Sequence, residues 1–222
     1  MEVLRIREAY SYIGPLADFL IEQEQRIKNL LIDYEIQSKV ENLPDGREVK
    51  SLLFTKQNVT VRFLPDRIDY TYNLPNPTTP SLDAFTAAKQ FFKLFSEIFY
   101  DVKAQRIAIV SQGFIKNDNN QAIQDLTSKM GLVRAFGLSN ELKFKINNPK
   151  SLFEPVNSVL NLDMGEAKNN KTQEVLKVLL VSIDVNTLAE NRELRFNPTN
   201  FDSDFSELFE ESEGKFRDLA RF

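Results

Sequence analysis

Residues 81–100 read SLDAFTAAKQFFKLFSEIFY, and this stretch decides how the rest of the chain is organised. At about 100° per residue, its alanines and large apolar side chains fall in one half-circle, and its polar residues fill the other half. The sequence therefore predicts an amphipathic helix over 82–100, with Ser81 as its N-cap and Asp83 in the first turn. Such a wide apolar stripe needs a sheet or a partner subunit to pack against.

Short segments of alternating polarity precede this helix. Apolar and polar residues alternate along 59–64 and 68–73, and residues 44–47, PDGR, have the composition of a tight turn between two further predicted strands, 35–42 and 49–56. Alternation with a period of two is typical of strands that bury one face and expose the other. The segments therefore predict an antiparallel meander with one solvent-facing side.

The remaining segments extend the same pattern towards both ends of the chain. The first 33 residues predict a strand over 3–13 and, after Gly14-Pro15, a helix over 15–33. The predicted elements after the central helix are strands over 104–115, 138–146, 156–164 and 175–185 and helices over 121–130 and 201–220. The run 175–185 is long and mostly apolar, which favours a central strand buried on both faces.

Together these elements predict an α+β fold in one domain, 1–222, with an antiparallel sheet packed by amphipathic, Phe-rich helices. The halves 35–100 and 104–220 each run from a strand meander into a Phe-rich helix. We interpret them as a candidate pseudo-repeat of two units sharing one continuous sheet.

The composition removes several kinds of chemistry. The chain has no cysteine and no histidine, which excludes disulfides, the usual zinc sites, Ser-His-Asp and Cys-His catalysis, and haem held through either residue. No glycine-rich phosphate loop is present. We therefore assign no catalytic residue, metal or cofactor, and any enzyme activity would depend on carboxylates, Lys or Tyr.

Charge and hydropathy indicate an ordinary cytoplasmic protein. The net charge is −4, and the last 24 residues hold seven acids and three bases, which leaves the rest of the chain neutral. A nucleic-acid partner is therefore not expected. The N-terminus has no signal-peptide pattern, and no apolar stretch approaches the ~20 residues that cross a bilayer.

Carboxylates supply the first alternative function, a Mg²⁺-dependent nuclease or phosphoesterase. Glu48-Val-Lys50 and Glu141-Leu-Lys143 have the acid-x-Lys spacing of such enzymes, and carboxylates are suitable Mg²⁺ ligands. Further acids near predicted strand ends are Asp163, Glu166, Asp184 and Glu190. Alternating charge on a solvent-facing strand explains these residues more simply.

A second alternative is RNA binding on a sheet face. Arg62 and Arg67 lie near Tyr70 and Tyr72 in the meander, and aromatic rings on a sheet can stack bases. Alternation, however, groups both tyrosines with Ile68 on the core side, and it places Arg62 and Asp69 on the wet side as a cross-strand pair.

Phenylalanine gives the strongest indication of function, since the chain has 18 Phe and no Trp. Two Phe-rich helices exceed what one sheet face needs, which indicates a surface for self-association or for an apolar segment of another protein. We expect a homo-oligomer or a protein partner. The candidate residues are Phe91, Phe92, Phe95, Phe99, Phe201, Phe205 and Phe209.

Two segments carry a family resemblance. Residues 104–110, AQRIAIV, follow the central helix, and residues 178–185, VLLVSIDV, precede the last one. They resemble a sporadically distributed bacterial family of unknown function, although Ser111-Gln-Gly113 stands where that family continues with Arg-Tyr-x-Asn. The element order is also similar to SecB-like export chaperones and their antitoxin-associated relatives. This resemblance implies a non-catalytic, chaperone-like or adaptor module of a bacterial toxin–antitoxin or defence system.

Overall fold

The computed structural model describes residues 2–15, 26–27, 29, 36–42, 46, 48–76, 79–129, 143–168 and 173–221. Most of the helix predicted over 15–33 lies outside these ranges, as does the start of the strand predicted over 138–146. Residues 26, 27 and 29 are helical, and Ile27 is buried in the core.

Nine strands and four helices form the described fold. The strands are β1 (Leu4–Ile13), β2 (Ile36–Asn42), β3 (Glu48–Phe54), β4 (Val59–Leu64), β5 (Arg67–Asn73), β6 (Arg106–Lys116), β7 (Lys143–Ser151), β8 (Pro155–Lys168) and β9 (Val175–Thr187). The helices are α1 (Ser81–Leu94), α2 (Ser96–Phe99), α3 (Gln121–Lys129) and α4 (Phe201–Arg221).

All nine strands belong to one antiparallel sheet with the order β2-β3-β4-β5-β1-β6-β9-β8-β7. The N-terminal strand β1 lies between β5 and β6 and so joins the two meanders. The α+β class and the antiparallel sheet are therefore confirmed.

The helices cover one side of this sheet. Helix α1 packs on β1 and β5 and against α4, and α4 lies over β6, β8 and β9. The sheet contributes Tyr10, Tyr12, Tyr70, Ile107 and Ile109 to this core, all at most 1% exposed. None of the described helices is long and apolar enough to cross a bilayer.

Three local predictions were wrong. The helix expected over 82–100 is interrupted at Phe95, whose φ of −99° and ψ of 20° separate α1 from α2. The N-cap of α1 is Pro80, in an extended conformation, and not Ser81. The Ser81 hydroxyl donates to Glu213 instead of capping the helix. Strand β9 is not buried on both faces, since Leu180 is 39% exposed on the side that the helices leave uncovered.

Candidate functional site

The predicted phenylalanine surface lies inside the protein. Six of its seven side chains are buried, and Phe91 is half-buried against them. The ring centroids of Phe92 and Phe201 are 5.3 Å apart, and those of Phe201 and Phe205 are 4.8 Å apart. Because α1 and α4 lie side by side, their apolar stripes bury each other as well as the sheet. The surplus phenylalanine therefore fills the core, although Phe91 and Phe95 also line a pocket of about 170 Å³ with Tyr70 and Tyr72.

The uncovered side of the sheet is a better candidate for binding, and we call it the open face. Side chains alternate between the two sides of a strand, so strand register shows which residues share it. One cross-strand row runs through Lys39, Ser51, Arg62, Asp69 and Ser11. No described helix packs on this side of the sheet.

Apolar side chains lie in the middle of the open face. The two central strands, β1 and β6, contribute Ala9, Ile13, Ala108, Val110 and Phe114. Ala9 and Val110 are direct cross-strand partners, and both are half-buried. An apolar centre of this kind is what a protein-binding surface requires.

Cations surround this centre and outnumber the acids. The exposed basic side chains of the open face, among the described residues, are Arg7, Lys39, Arg62, Arg67, Lys116, Lys143 and Lys145. The three acids whose side chains the structure describes on this face each have a partner. Arg67 Nε lies 3.1 Å from Asp69, Lys143 Nζ lies 3.3 Å from Asp163, and the Asn186 amide donates to Asp184 at 2.9 Å.

Charge is consequently segregated between the two sides of the molecule. Helix α4, on the covered side, carries the acids of the C-terminal segment, whereas the open face is basic. The net charge of −4 conceals this separation, because composition averages over both sides. Sequence reasoning missed the basic face for that reason, although strand alternation did place Arg62 on the wet side.

A second feature is a buried acid cluster beneath α4. Glu8 of β1 is only 1% exposed, and the Ser111 hydroxyl donates to its Oε2 at 2.5 Å. The hydroxyls of Ser111 and Ser212 are 2.7 Å apart. Arg5 Nη1 lies 3.4 Å from Glu8 Oε1 and also pairs with Glu213. The cluster thus links β1 and β6 to α4.

Burial raises the pKa of Glu8 to about 8, and the nearby Glu213 carboxylate raises it further, against the opposing effects of Ser111 and Arg5. Glu8 is therefore mostly protonated at neutral pH. A carboxylic acid beside two hydroxyls has the composition of a proton relay. Since Glu8, Ser111 and Ser212 are at most 1% exposed, the cluster holds α4 in place and does not contact a substrate.

The structure does not bring the predicted carboxylates together. Asp163 and Asp184 both face the open side of the sheet. The cross-strand partner of Asp184 is Val159, which lies four residues along β8 from Asp163. The two acids are therefore separated by about 13 Å along the strand direction. Glu166 points to the covered side by register, and Glu190 is in the loop after β9.

The other carboxylate motifs gain no partner in the described part of the chain. Glu141 and the side chain of Glu48 lie outside it. Within the described residues, no three Asp or Glu side chains are grouped as a metal site.

The tyrosines considered for base stacking lie on the covered side. Tyr70 is 1% exposed, and Tyr72 is half-buried against the same core, so the prediction that they accompany Ile68 is confirmed. The predicted pairing of Arg62 with Asp69 across strands is confirmed as well. The open face therefore lacks the aromatic platform that these residues would have supplied.

No protein-family model matches the sequence, and no curated protein matches it significantly. The resemblance to SecB-like chaperones and to the bacterial family therefore stays a prediction.

Proposed function

We propose that this protein is a non-catalytic protein-binding module, and that it binds an acidic partner protein on the open face. The observation that carries the proposal is that the described helices cover one side of the nine-stranded sheet, which leaves an apolar centre with a cationic surround on the other side. This arrangement has the anatomy of a protein interface, in which a polar rim surrounds an apolar core.

The size of the open face is adequate for a stable complex. Nine strands with a spacing of about 4.8 Å span about 40 Å, and seven residues along a strand span about 20 Å. The resulting area of about 800 Å² equals what one partner contributes to a standard protein interface. A flat, preformed face of this size suits an adaptor that binds a folded partner.

Charge selects the class of partner. Two copies meeting face to face would oppose cation to cation, which penalises self-association through this surface and favours an acidic partner. RNA matches the open face less well, because base recognition on a sheet needs exposed aromatic rings. Among the described open-face residues, Phe114 is the one aromatic side chain.

Site-specific photocrosslinking tests this proposal. A photoreactive residue at position 110, in the centre of the open face, should give a discrete protein adduct in the native host. The same residue at position 82, where Leu82 is 58% exposed on the helical side, should not. Adducts to RNA alone, or equal adducts from both positions, would contradict the proposal.

Once the crosslinked protein is identified, its binding to variants gives the quantitative test. Val110→Glu and Lys145→Glu should each weaken binding about tenfold or more, because the first adds a charge to the apolar centre and the second reverses a rim charge. Leu82→Glu is the matched control. Circular dichroism of each variant verifies that the fold is retained.

A further inference from the structure

A depression of about 280 Å³ lies at the β2–β5 end of the open face. We call it the Ser51 pocket. The polar side chains that line it are Arg7, Lys39, Ser51, Thr60, Arg62, Thr71 and Asn73. These groups are cations, hydroxyls and one amide, and no carboxylate is among the described residues that line the pocket.

Ser51 is the unusual member of this set. Its side chain is 2% exposed, and its Oγ has no hydrogen-bond partner. Strand register places Lys39 on one side of it and Arg62 on the other. Buried hydroxyls are normally paired, because an unpaired one has lost its contacts with water without replacement. An unpaired hydroxyl between two cations therefore indicates a missing acceptor.

The surrounding groups define the chemistry of that acceptor. Thr60 and Thr71 face each other across β4 and β5, and Arg7 stands at the far end, where its Nε donates to Asn73 at 3.2 Å. A ligand of this pocket must accept several hydrogen bonds and carry more than one negative charge. A phosphate group meets both requirements, and Arg and Lys are its usual ligands.

Asp69 is the nearest acid, and it is already engaged. It accepts a hydrogen bond from Ser11 at 2.7 Å and lies 3.1 Å from Arg67 Nε. Asp69 also lies opposite Arg62 across the strands, but it does not line the pocket.

We propose that the Ser51 pocket binds a phosphomonoester, with Lys39 and Arg62 holding the phosphate dianion and Ser51 donating a hydrogen bond to one of its oxygens. The phosphate belongs either to a small molecule or to a phosphorylated side chain of a protein. This site does not depend on the protein partner proposed above.

Titration at constant ionic strength tests the site, with inorganic phosphate, phosphoserine and a phosphoserine peptide as probes and dimethyl phosphate as a singly charged control. The dianionic probes should shift the backbone resonances of Ser51, Thr60 and Thr71 saturably. Dimethyl phosphate should bind more weakly than these probes. Tighter binding of the peptide than of phosphoserine would assign the phosphate to a protein.

Variants separate recognition from structure. Lys39→Ala and Arg62→Ala should each weaken phosphate binding about tenfold, because each removes a charged hydrogen bond. Lys145→Ala, at the opposite edge of the open face, should leave it unchanged. Ser51→Ala should weaken binding several-fold without lowering Tm, whereas a merely structural role would lower Tm.

Three outcomes would overturn the proposal: no saturable shift up to about 10 mM phosphate, equal binding of dimethyl phosphate, or equal losses in Lys145→Ala and Arg62→Ala. Val110→Glu distinguishes this site from the protein interface. It should weaken partner binding about tenfold or more and retain phosphate binding, so either proposal can fail while the other stands.

Discussion

Replacing Glu8 with Gln should remove a large part of the pH dependence of stability. Burial raises the pKa of Glu8 from 4.5 to about 8, so the folded protein keeps a proton that the unfolded chain loses above pH 4.5. Stability should therefore fall as pH rises between about 4.5 and 8. A pKa change of this size corresponds to at most about 5 kcal/mol of the free energy of unfolding.

Glutamine keeps the shape of the protonated carboxyl and its contact with Ser111, but it has no proton to lose. The Glu8→Gln protein should match the wild type near pH 5 and be several kcal/mol more stable at pH 8.5. Burial also raises the pKa of Asp204, to about 6, and that of Asp69, so the wild type has further slopes of the same sign. The difference between the two proteins isolates the contribution of Glu8.

Urea unfolding at half-unit intervals from pH 5 to 8.5 measures this difference. Glu207→Gln, at an exposed position of α4, is the control and should follow the wild-type curve. Parallel stability curves for wild type and Glu8→Gln would refute the reasoning, because they would mean that Glu8 ionises at a similar pH in the folded and unfolded states.

Four further substitutions test the packing. Phe205→Ala should cost about 3–5 kcal/mol in urea unfolding, since a fully buried ring leaves a cavity between α4 and the sheet. Arg195→Ala should cost about 1–3 kcal/mol of the free energy of unfolding, because Arg195 donates to both carboxylate oxygens of Glu154, at 2.7 and 2.9 Å. An unchanged stability would show that this ion pair contributes nothing. Gly113→Ala should destabilise the protein, because the added Cβ would lie 2.8 Å from a backbone oxygen of β1. Gly214→Ala should stabilise the protein by about 1 kcal/mol, because Gly214 is in α4 and no atom lies within 4 Å of the added Cβ. Equal effects of the two glycine substitutions in thermal unfolding would contradict this account.

Elements with a clear period were predictable. The alternation of Ile68, Tyr70 and the residues between them identified the buried side of β5, because a strand records its burial in every second residue. The apolar stripes of α1 and α4 were equally visible. The sequence did not show what these stripes pack against, because periodicity indicates that a face is buried without showing what covers it.

The pattern of residues could not predict which strands pair with each other over long sequence separations. In the segment 4–13, LRIREAYSYI, alternation groups Glu8 with Tyr10 and Tyr12, but it does not show which neighbours bury this face. Insertion of β1 between β5 and β6 places Glu8 beneath α4 and beside Ser111, its hydroxyl partner, which lies 103 residues away in the chain.

The sequence by itself therefore determined the class of fold, the apolar faces of its elements and the absence of imidazole and thiol chemistry, because each of these is local or compositional. Only the tertiary structure decided that the phenylalanines bury one another, that a carboxylic acid is enclosed beneath α4, and that the cations collect on the open face. These three features depend on which strands become neighbours, and strand neighbours are selected by the packing of the whole sheet.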